Sequence, residues 1–313
     1  MEVTPGWETV EMTMDPSGFI EARIGASPHG QGLRTTLSQI IADELGTSPD
    51  RIKIVHGDTD RTPYGWGTFA SRSLVIAGGA TLLAAGKIRT KLTKMAGILL
   101  EASAEDIVLE ADAARVAGTD RAIPITTLAR AAYHQTHRFK GEVGPGISES
   151  ATYDPAGTFS NACHIALVEV DIETGRVTIE KFVVAEDAGR LINPMIVDGQ
   201  IHGGVAQGIA NALLEEILYD ETGNILTATL ADYMPPTARE IPPIEIHHLE
   251  TLTEASLTKA KGLGEGGAIG PPAAVVNAIN DALSPFGVSI DEFPATPQRI
   301  RAALRAASAR GQA

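Results

Sequence analysis

Glycine clustering constrains this chain more than any other feature of its sequence. Thirty-two of the 313 residues are glycine, above the usual share of about 7%. They gather at 25–32, 65–67, 203–208 and 262–270. A residue without a Cβ lets the backbone turn at positive φ, or approach a ligand or a second backbone closely. Four such clusters are expected to build several loops around one bound object. Four unrelated tight turns are the plainer alternative.

Composition removes whole classes of function. Twenty-five Lys and Arg stand against 39 Asp and Glu, a net charge of −14. That balance argues against nucleic-acid binding, which needs clustered cations for phosphate. Aromatics make up 4%, too few for base-stacking platforms. The single cysteine, Cys163, excludes a disulfide framework. It also excludes a Cys₄ zinc site or an iron–sulfur cluster held by this chain alone. Residues 1–6 carry neither a basic nor an apolar leader segment, and no apolar run reaches membrane-spanning length. A soluble, cytoplasmic protein is expected, without membrane or nucleic-acid partners.

The pattern along the chain mixes strands and helices. Residues 11–24 read as a hairpin around Asp15-Pro16-Ser17-Gly18. In 35–45, Leu37, Ile40, Ile41 and Leu45 recur at helical spacing and Gly46 stops the run. Residues 51–56 alternate as a strand, 71–96 read as one long helix or two, 107–118 as a strand pair and 125–133 as a short helix. Residues 142–159, rich in Gly, Pro and Ser, are the linker candidate. Beyond them come strands at 162–171 and 177–186, then a helix at 194–214 expected to break near Gly203-Gly204. A second hairpin is expected at 219–230, a strand at 244–252, and helices at 271–283 and 297–307. Without strict βαβ alternation, the class is α+β. The expected subdomains, both of mixed α/β composition, are 1–145 and 146–313.

Gly262-Leu263-Gly264-Glu265-Gly266-Gly267 matches the dinucleotide fingerprint G-x-G-x-x-G. The residues before it do not read as a buried parallel strand, and no βαβ unit follows. A nicotinamide-dependent dehydrogenase is therefore only a minor alternative. The same loop has almost no side chains around Glu265. A carboxylate so uncovered can reach into a site as a general base; an exposed turn glutamate is the bland alternative. His29-Gly30-Gln31-Gly32 and Thr68-Phe69-Ala70-Ser71-Arg72-Ser73 each precede a helix, where free N–H groups suit an anion such as phosphate. Helix caps favour Ser and Thr for purely structural reasons as well. His134 and His137 form no convincing ligand set, so no zinc is expected, and Cys163 reads as a small core residue.

Four segments carry a resemblance: HGQGLRTTLSQIIADELG (29–46), GDTDRTPYGWGTFASRS (57–73), EDAGRLINPMIVDGQIHGGVAQG (186–208) and KGLGEGGAIGPPAAVVNAINDAL (261–283). In order and spacing the chain resembles the C-terminal half of the molybdenum-binding large subunit of xanthine dehydrogenase, aldehyde oxidase and aerobic carbon monoxide dehydrogenase. The resemblance implies a molybdopterin cofactor, in its cytosine dinucleotide form, whose molybdenum is held by the pterin dithiolene and by no protein ligand. It places Gly30, Gln31 and Gly32 beside the metal and dithiolene. Thr68, Phe69, Ala70, Ser71, Arg72 and Ser73 would wrap the pterin and its phosphate. Gln207 would lie near the pterin, Asp187 near the dinucleotide end, and Gly264 against the cofactor. Glu265 matches the catalytic glutamate, which accepts a proton from a metal-bound hydroxide during hydroxylation of an N-heterocycle or aldehyde.

Family large subunits are more than twice this length. The resemblance therefore implies a split subunit, as in nicotinate dehydrogenase-like hydroxylases. Its partners would be a second molybdenum-site chain, a 2Fe-2S subunit and an FAD subunit, in a dimer of heteromers. A non-catalytic assembly subunit of such a complex is the alternative.

Overall fold

The computed structural model describes residues 6–139 and 141–311. The expectation of no leader rests largely on residues 1–5 and lies there outside the described residues. Alternation at the start of the chain produces a hairpin. β1 (Glu8–Met14) and β2 (Ile20–Ile24) pair antiparallel, and within each strand every second residue is buried, starting with Glu8 and with Ile20. α1 (Leu33–Leu45) ends at the left-handed Gly46. It carries the chain across to β3 (Ile52–Val55), which lies parallel to β2.

The run of small and apolar residues that follows is one uninterrupted helix, α2 (Ser73–Leu100). It packs on α1 and the inner face of the sheet. A small meander of β4 (Ile107–Glu110), β5 (Ala113–Val116) and β6 (Ala122–Pro124) leads into α3 (Ile125–His134). The linker expectation for 142–159 is corrected here. β7 (Ser148–Tyr153) lies within it and pairs with β1, closing a sheet of order β3-β2-β1-β7. Its polar alternation hid a strand that buries only Ala151 fully. The first hydrophobic core therefore runs from Val10 to Ala151, past residue 145.

A second core starts with β8 (Asn161–Val170) and β9 (Val177–Asp187), an antiparallel pair with a register shift after Leu167. α4 (Pro194–Leu213) follows without the expected break. Its glycines serve packing instead, for a Cβ on Gly204 would lie 2.7 Å from the backbone of Gly267. The expected hairpin at 219–230 reduces to a single bridge, Tyr219 to Ile225, above a tight Asp220 turn. After it comes the one-turn α5 (Leu230–Tyr233). β10 (Ile244–Leu249) joins β9 in parallel, giving the order β10-β9-β8. The one-turn α6 (Gly266–Ile269), then α7 (Pro271–Leu283), entered at two prolines, and α8 (Pro297–Gly311) complete the unit.

Cys163 is not a core residue. It faces outward from β8 with Ile165 and Leu167, on a sheet face that nothing covers among the described residues. The architecture is α+β, as expected, and no described helix is long and apolar enough to cross a membrane.

Candidate active site

Three of the four glycine-rich regions, with the start of α4, meet at one cleft between the two cores. Its volume is about 330 Å³. His29, Gln31, Leu33 and Thr36 come from the α1 entry, and Thr68, Phe69, Ser71, Ser73 and Leu74 from the α2 entry. Across from them stand Ile196, Val197 and Gln200 of α4, with Lys261, Leu263, Gly264 and Glu265 of the last loop. The first turns of three helices thus open onto one space. At α1 and α2 the N-cap residues, Gly32 and Arg72, cap no N–H with a side chain. At α4, Asn193 accepts from Ile196 N at 3.1 Å. Uncapped N–H groups and positive helix ends favour an anionic ligand.

The turn into α2 is held in an unfavourable conformation. Ala70 and Ser71 are consecutive non-glycine residues at φ 46° and 56°, a region that costs of order 1–3 kcal/mol per residue. Their context over-determines them. Ser71 Oγ receives the Glu265 N–H at 3.0 Å and reaches Glu265 Oε2 at 3.2 Å, and Ser73 Oγ reaches Thr68 Oγ1 at 2.9 Å. Glu265 is exposed to the cleft, anchored through Ser71 on the opposite wall. Gln31 Oε1 accepts from His29 N at 2.9 Å, which fixes the short loop ahead of α1.

Arg72 does not face the cleft. Its side chain is fully buried and pairs with Glu8 at 2.5 Å. It also donates to the carbonyls of Gly67 at 2.8 Å and Trp7 at 3.2 Å. Glu8 Oε1 in turn accepts from Trp66 and Gly67 N–H at 3.0 and 3.2 Å. The pair ties the 64–69 loop to β1, so Arg72 shapes the wall from behind. Phe69 lies over the guanidinium, with 5.3 Å from its ring centre to Cζ.

The other expected residues divide. Gly30, at φ 113°, and Gly32, at φ 80°, turn the chain between the lining residues His29, Gln31 and Leu33. A Cβ on Gly32 would collide with Ile196 at 2.6 Å, so this glycine lets α4 close against α1. Asp187 lies behind the cleft and holds Lys261 at 3.0 Å. Burial works to raise the Asp187 carboxyl, but donation from Thr251, Gly189 and Lys261 outweighs it and keeps the group below the ordinary range.

Gln207 is exposed and lines no part of the cleft. Gln200, two helical turns earlier on α4, is the glutamine that does, and its Nε2 donates to Gly264 O at 3.2 Å. Gln200 and Lys261 went unassigned in the sequence. The signals were present: Gln200 follows Gly199 within the matched segment, and Lys261 opens the last one. The G-x-G-x-x-G run forms a bend and the short α6, with no strand leading into it, so it is not a dinucleotide βαβ fingerprint. Among the described residues no three His, Cys, Asp or Glu side chains are grouped to hold a metal.

The molybdopterin cofactor-binding domain family matches residues 1–242. The nicotine 6-hydroxylase large subunit of Paenarthrobacter nicotinovorans is 43% identical over 295 residues, 94% of this chain and 36% of that protein. The carbon monoxide dehydrogenase large chain of Hydrogenophaga pseudoflava is 37% identical over 300 residues, 96% of this chain and 37% of that one. The crystal structure of quinoline 2-oxidoreductase from Pseudomonas putida 86 superimposes with a TM-score of 0.91 at 40% identity, covering 96% of this chain and 38% of that one. The chain spans little more than a third of the length of these relatives.

Proposed function

The chain belongs to the molybdopterin cofactor-binding family of molybdenum hydroxylase large subunits, and from that premise we propose that its cleft forms part of a hydroxylase site in which Glu265 is the general base. The observation that carries this reading is the position of Glu265. Its carboxylate stands in the same cleft as Gln31, Gln200, Lys261 and the uncapped first turns of α1 and α2.

Those residues fit a molybdopterin cofactor. The phosphate-bearing part of the group suits the α1 and α2 N-termini, with Thr68, Ser71 and Ser73 beside them. Gln31 and Gln200 suit the polar edge of the pterin. Lys261 places a cation on the wall, with one of its donors committed to Asp187. When bound, the cofactor supplies the redox centre that takes up two electrons per substrate oxidised. Glu265 accepts the proton of the oxygen nucleophile on its carboxylate, and Ser71 orients that carboxylate through Oγ. Leu33, Leu74, Ile196 and Leu263 give the cleft apolar walls that restrict water.

The substrate class is an N-heterocycle or an aldehyde. The cofactor is the cytosine dinucleotide form, and the protein is cytoplasmic. The remainder of the molybdenum site comes from another polypeptide segment or chain. Electrons leave through 2Fe-2S and FAD subunits, and the assembly is a dimer of heteromers. The relatives' names as large subunits and large chains support an assembly of several chains. The single cysteine supports iron–sulfur centres lying elsewhere.

The test is purification of the complex from its native context, followed by metal analysis, nucleotide release and turnover on a panel of N-heterocycles and aldehydes. Molybdenum together with turnover is the expected result. Molybdenum without turnover on any of them would favour a non-catalytic assembly role.

A further inference from the structure

A second cavity, of about 120 Å³, shares no lining residue with the cleft and backs onto α6, which directly follows Glu265. Its polar lining comes from Ser160, Asn161, His164 and Glu186. Glu186 is 1% exposed, and its Oε2 has no hydrogen-bond partner. Both ring nitrogens of His164 are likewise enclosed and unpartnered. The register explains the grouping. Ala162 lies opposite Glu186 and His164 opposite Val184, so Glu186 and His164 project from the same face of adjacent strands. The glycines of α6 and its end cover them. A Cβ on Gly266 would lie 3.2 Å from Glu186 Oε1, and one on Gly270 would lie 2.5 Å from the His164 ring.

An enclosed carboxylate oxygen without a partner is costly, and either neutralisation or a cation relieves it. Burial pushes Glu186 up to about 7; the positive charge of the chain's amino terminus works against that rise and the neighbouring Asp187 carboxylate adds to it. Among the described residues no side-chain cation pairs with it, for Lys261 is committed to Asp187 on the far side. Burial also pushes His164 down, leaving a neutral imidazole with a lone pair; its ring packs edge-to-face with Phe182, their centres 5.9 Å apart. The cavity thus gathers hydrogen-bond acceptors and one negative charge, with Ala162 and Ile269 as small apolar walls. A bare metal ion would find only two strong ligands, and water would satisfy the hydrogen bonds but not the charge. A primary ammonium group, compact and carrying three donors, meets both needs.

We infer that this cavity is a binding site for a primary ammonium group, supplied by a lysine side chain of a neighbouring polypeptide or by a free small amine. Ionisation of Glu186 in the purified complex tests it, followed as the carboxyl infrared band that Glu186→Gln removes. Methylammonium is the probe, potassium the ionic-strength control, and tetramethylammonium a cation without N–H groups.

For a free amine, methylammonium lowers the Glu186 midpoint saturably by about one pH unit or more, equivalent to a tenfold preference for the ionised form. Tetramethylammonium has no such effect, and His164→Phe weakens it several-fold. For a resident lysine, Glu186 is already ionised near pH 5. A density map of the complex then shows Nζ beside Oε2, and replacing that lysine with Met returns the midpoint to about 7. A midpoint that stays near 7 and ignores methylammonium overturns the inference. So does a low midpoint with arginine or a metal ion in the cavity.

Discussion

The two walls of the cleft differ in how they are held. The wall that enters α2 is locked from behind: Arg72 and Glu8, both without solvent exposure, bind each other and the backbone at Trp7, Trp66 and Gly67. The opposite wall carries Glu265 on a loop of small residues, and the carboxylate itself is exposed. That loop's fixed points are Lys261 on Asp187, Gln200 on Gly264 and Ser71 on Glu265. The contrast extends to the cores. The first sheet is covered by α1 and α2, whereas β8 leaves Cys163, Ile165 and Leu167 facing outward. One wall is therefore a rigid cradle completed within the chain. The other carries Glu265 on a body whose outer sheet face is bare among the described residues.

The largest effect expected from breaking this contrast is at the wall that carries Glu265. Glu265→Gln preserves size and the possibility of a hydrogen bond to Ser71 but removes the proton acceptor. Loss of a general base costs ~10²–10⁴ in rate. Turnover of the purified complex should fall by that much, with molybdenum, iron and FAD contents near wild type. Turnover within a few-fold of wild type would return Glu265 to the role of an exposed turn residue.

Breaking the cradle should act on the cofactor before it acts on chemistry. Arg72→Ala leaves Glu8 charged, buried and unpaired, a loss of about 3–5 kcal/mol for a buried pair. The 64–69 loop should loosen, and molybdenum content should drop along with thermal stability. The double variant Glu8→Gln with Arg72→Met removes both charges and should recover most of the stability. If Arg72→Ala keeps full cofactor occupancy and an unchanged melting temperature, the cradle does not depend on this pair.

The same contrast governs how much was legible in the sequence. Helical periodicity located α1, the two prolines at 271–272 located the start of α7, and two β-rich runs around a Gly175 turn located the β8–β9 hairpin. The cleft was legible through its glycines and through Glu265. Arg72 was placed in the right segment, but the sequence left open whether it reaches the cofactor or anchors the loop, because its partner Glu8 lies 64 positions away and a sequence pattern carries no such distance. β7 was missed because a strand that fully buries one side chain has no hydrophobic signature. Gln200 and Gln207 lie seven positions apart on α4. Two helical turns return to nearly the same face, so only tertiary packing chose between them.

The exposed β8 face gives the next test. Ile165 and Leu167 are 58% and 60% exposed, side by side on one edge strand. Single surface changes usually alter stability within about 0.5 kcal/mol, so Ile165→Lys with Leu167→Lys should leave the fold's melting temperature nearly unchanged. If this face meets a neighbouring polypeptide, recovery of the complex by affinity purification should fall about tenfold. The chain expressed alone should aggregate less than wild type. Normal recovery of the complex would show that the face is simply tolerated in water.

The smallest expected effect lies at the joint between the walls. Asn193 caps α4 by accepting from Ile196 N, and its Nδ2 donates to Gln39 Oε1 of α1 at 3.0 Å. One side chain thus sets the start of the second unit's helix and ties it to the first unit. Asn193→Ala removes both interactions and should cost about 1 kcal/mol, the usual value of an N-cap. Asn193→Asp keeps the cap, and its added negative charge suits the helix N-terminus, but it cannot donate to Gln39. If the cap alone matters, Asp should match wild type in both melting temperature and cofactor content. If the tie to α1 also matters, Asp should keep the melting temperature yet bind cofactor more weakly, because α4 would sit less firmly against the α1 entry that carries Gln31. An Ala variant indistinguishable from wild type in both measurements would mean that the walls are joined by packing alone, through contacts such as Ile196 against Gly32.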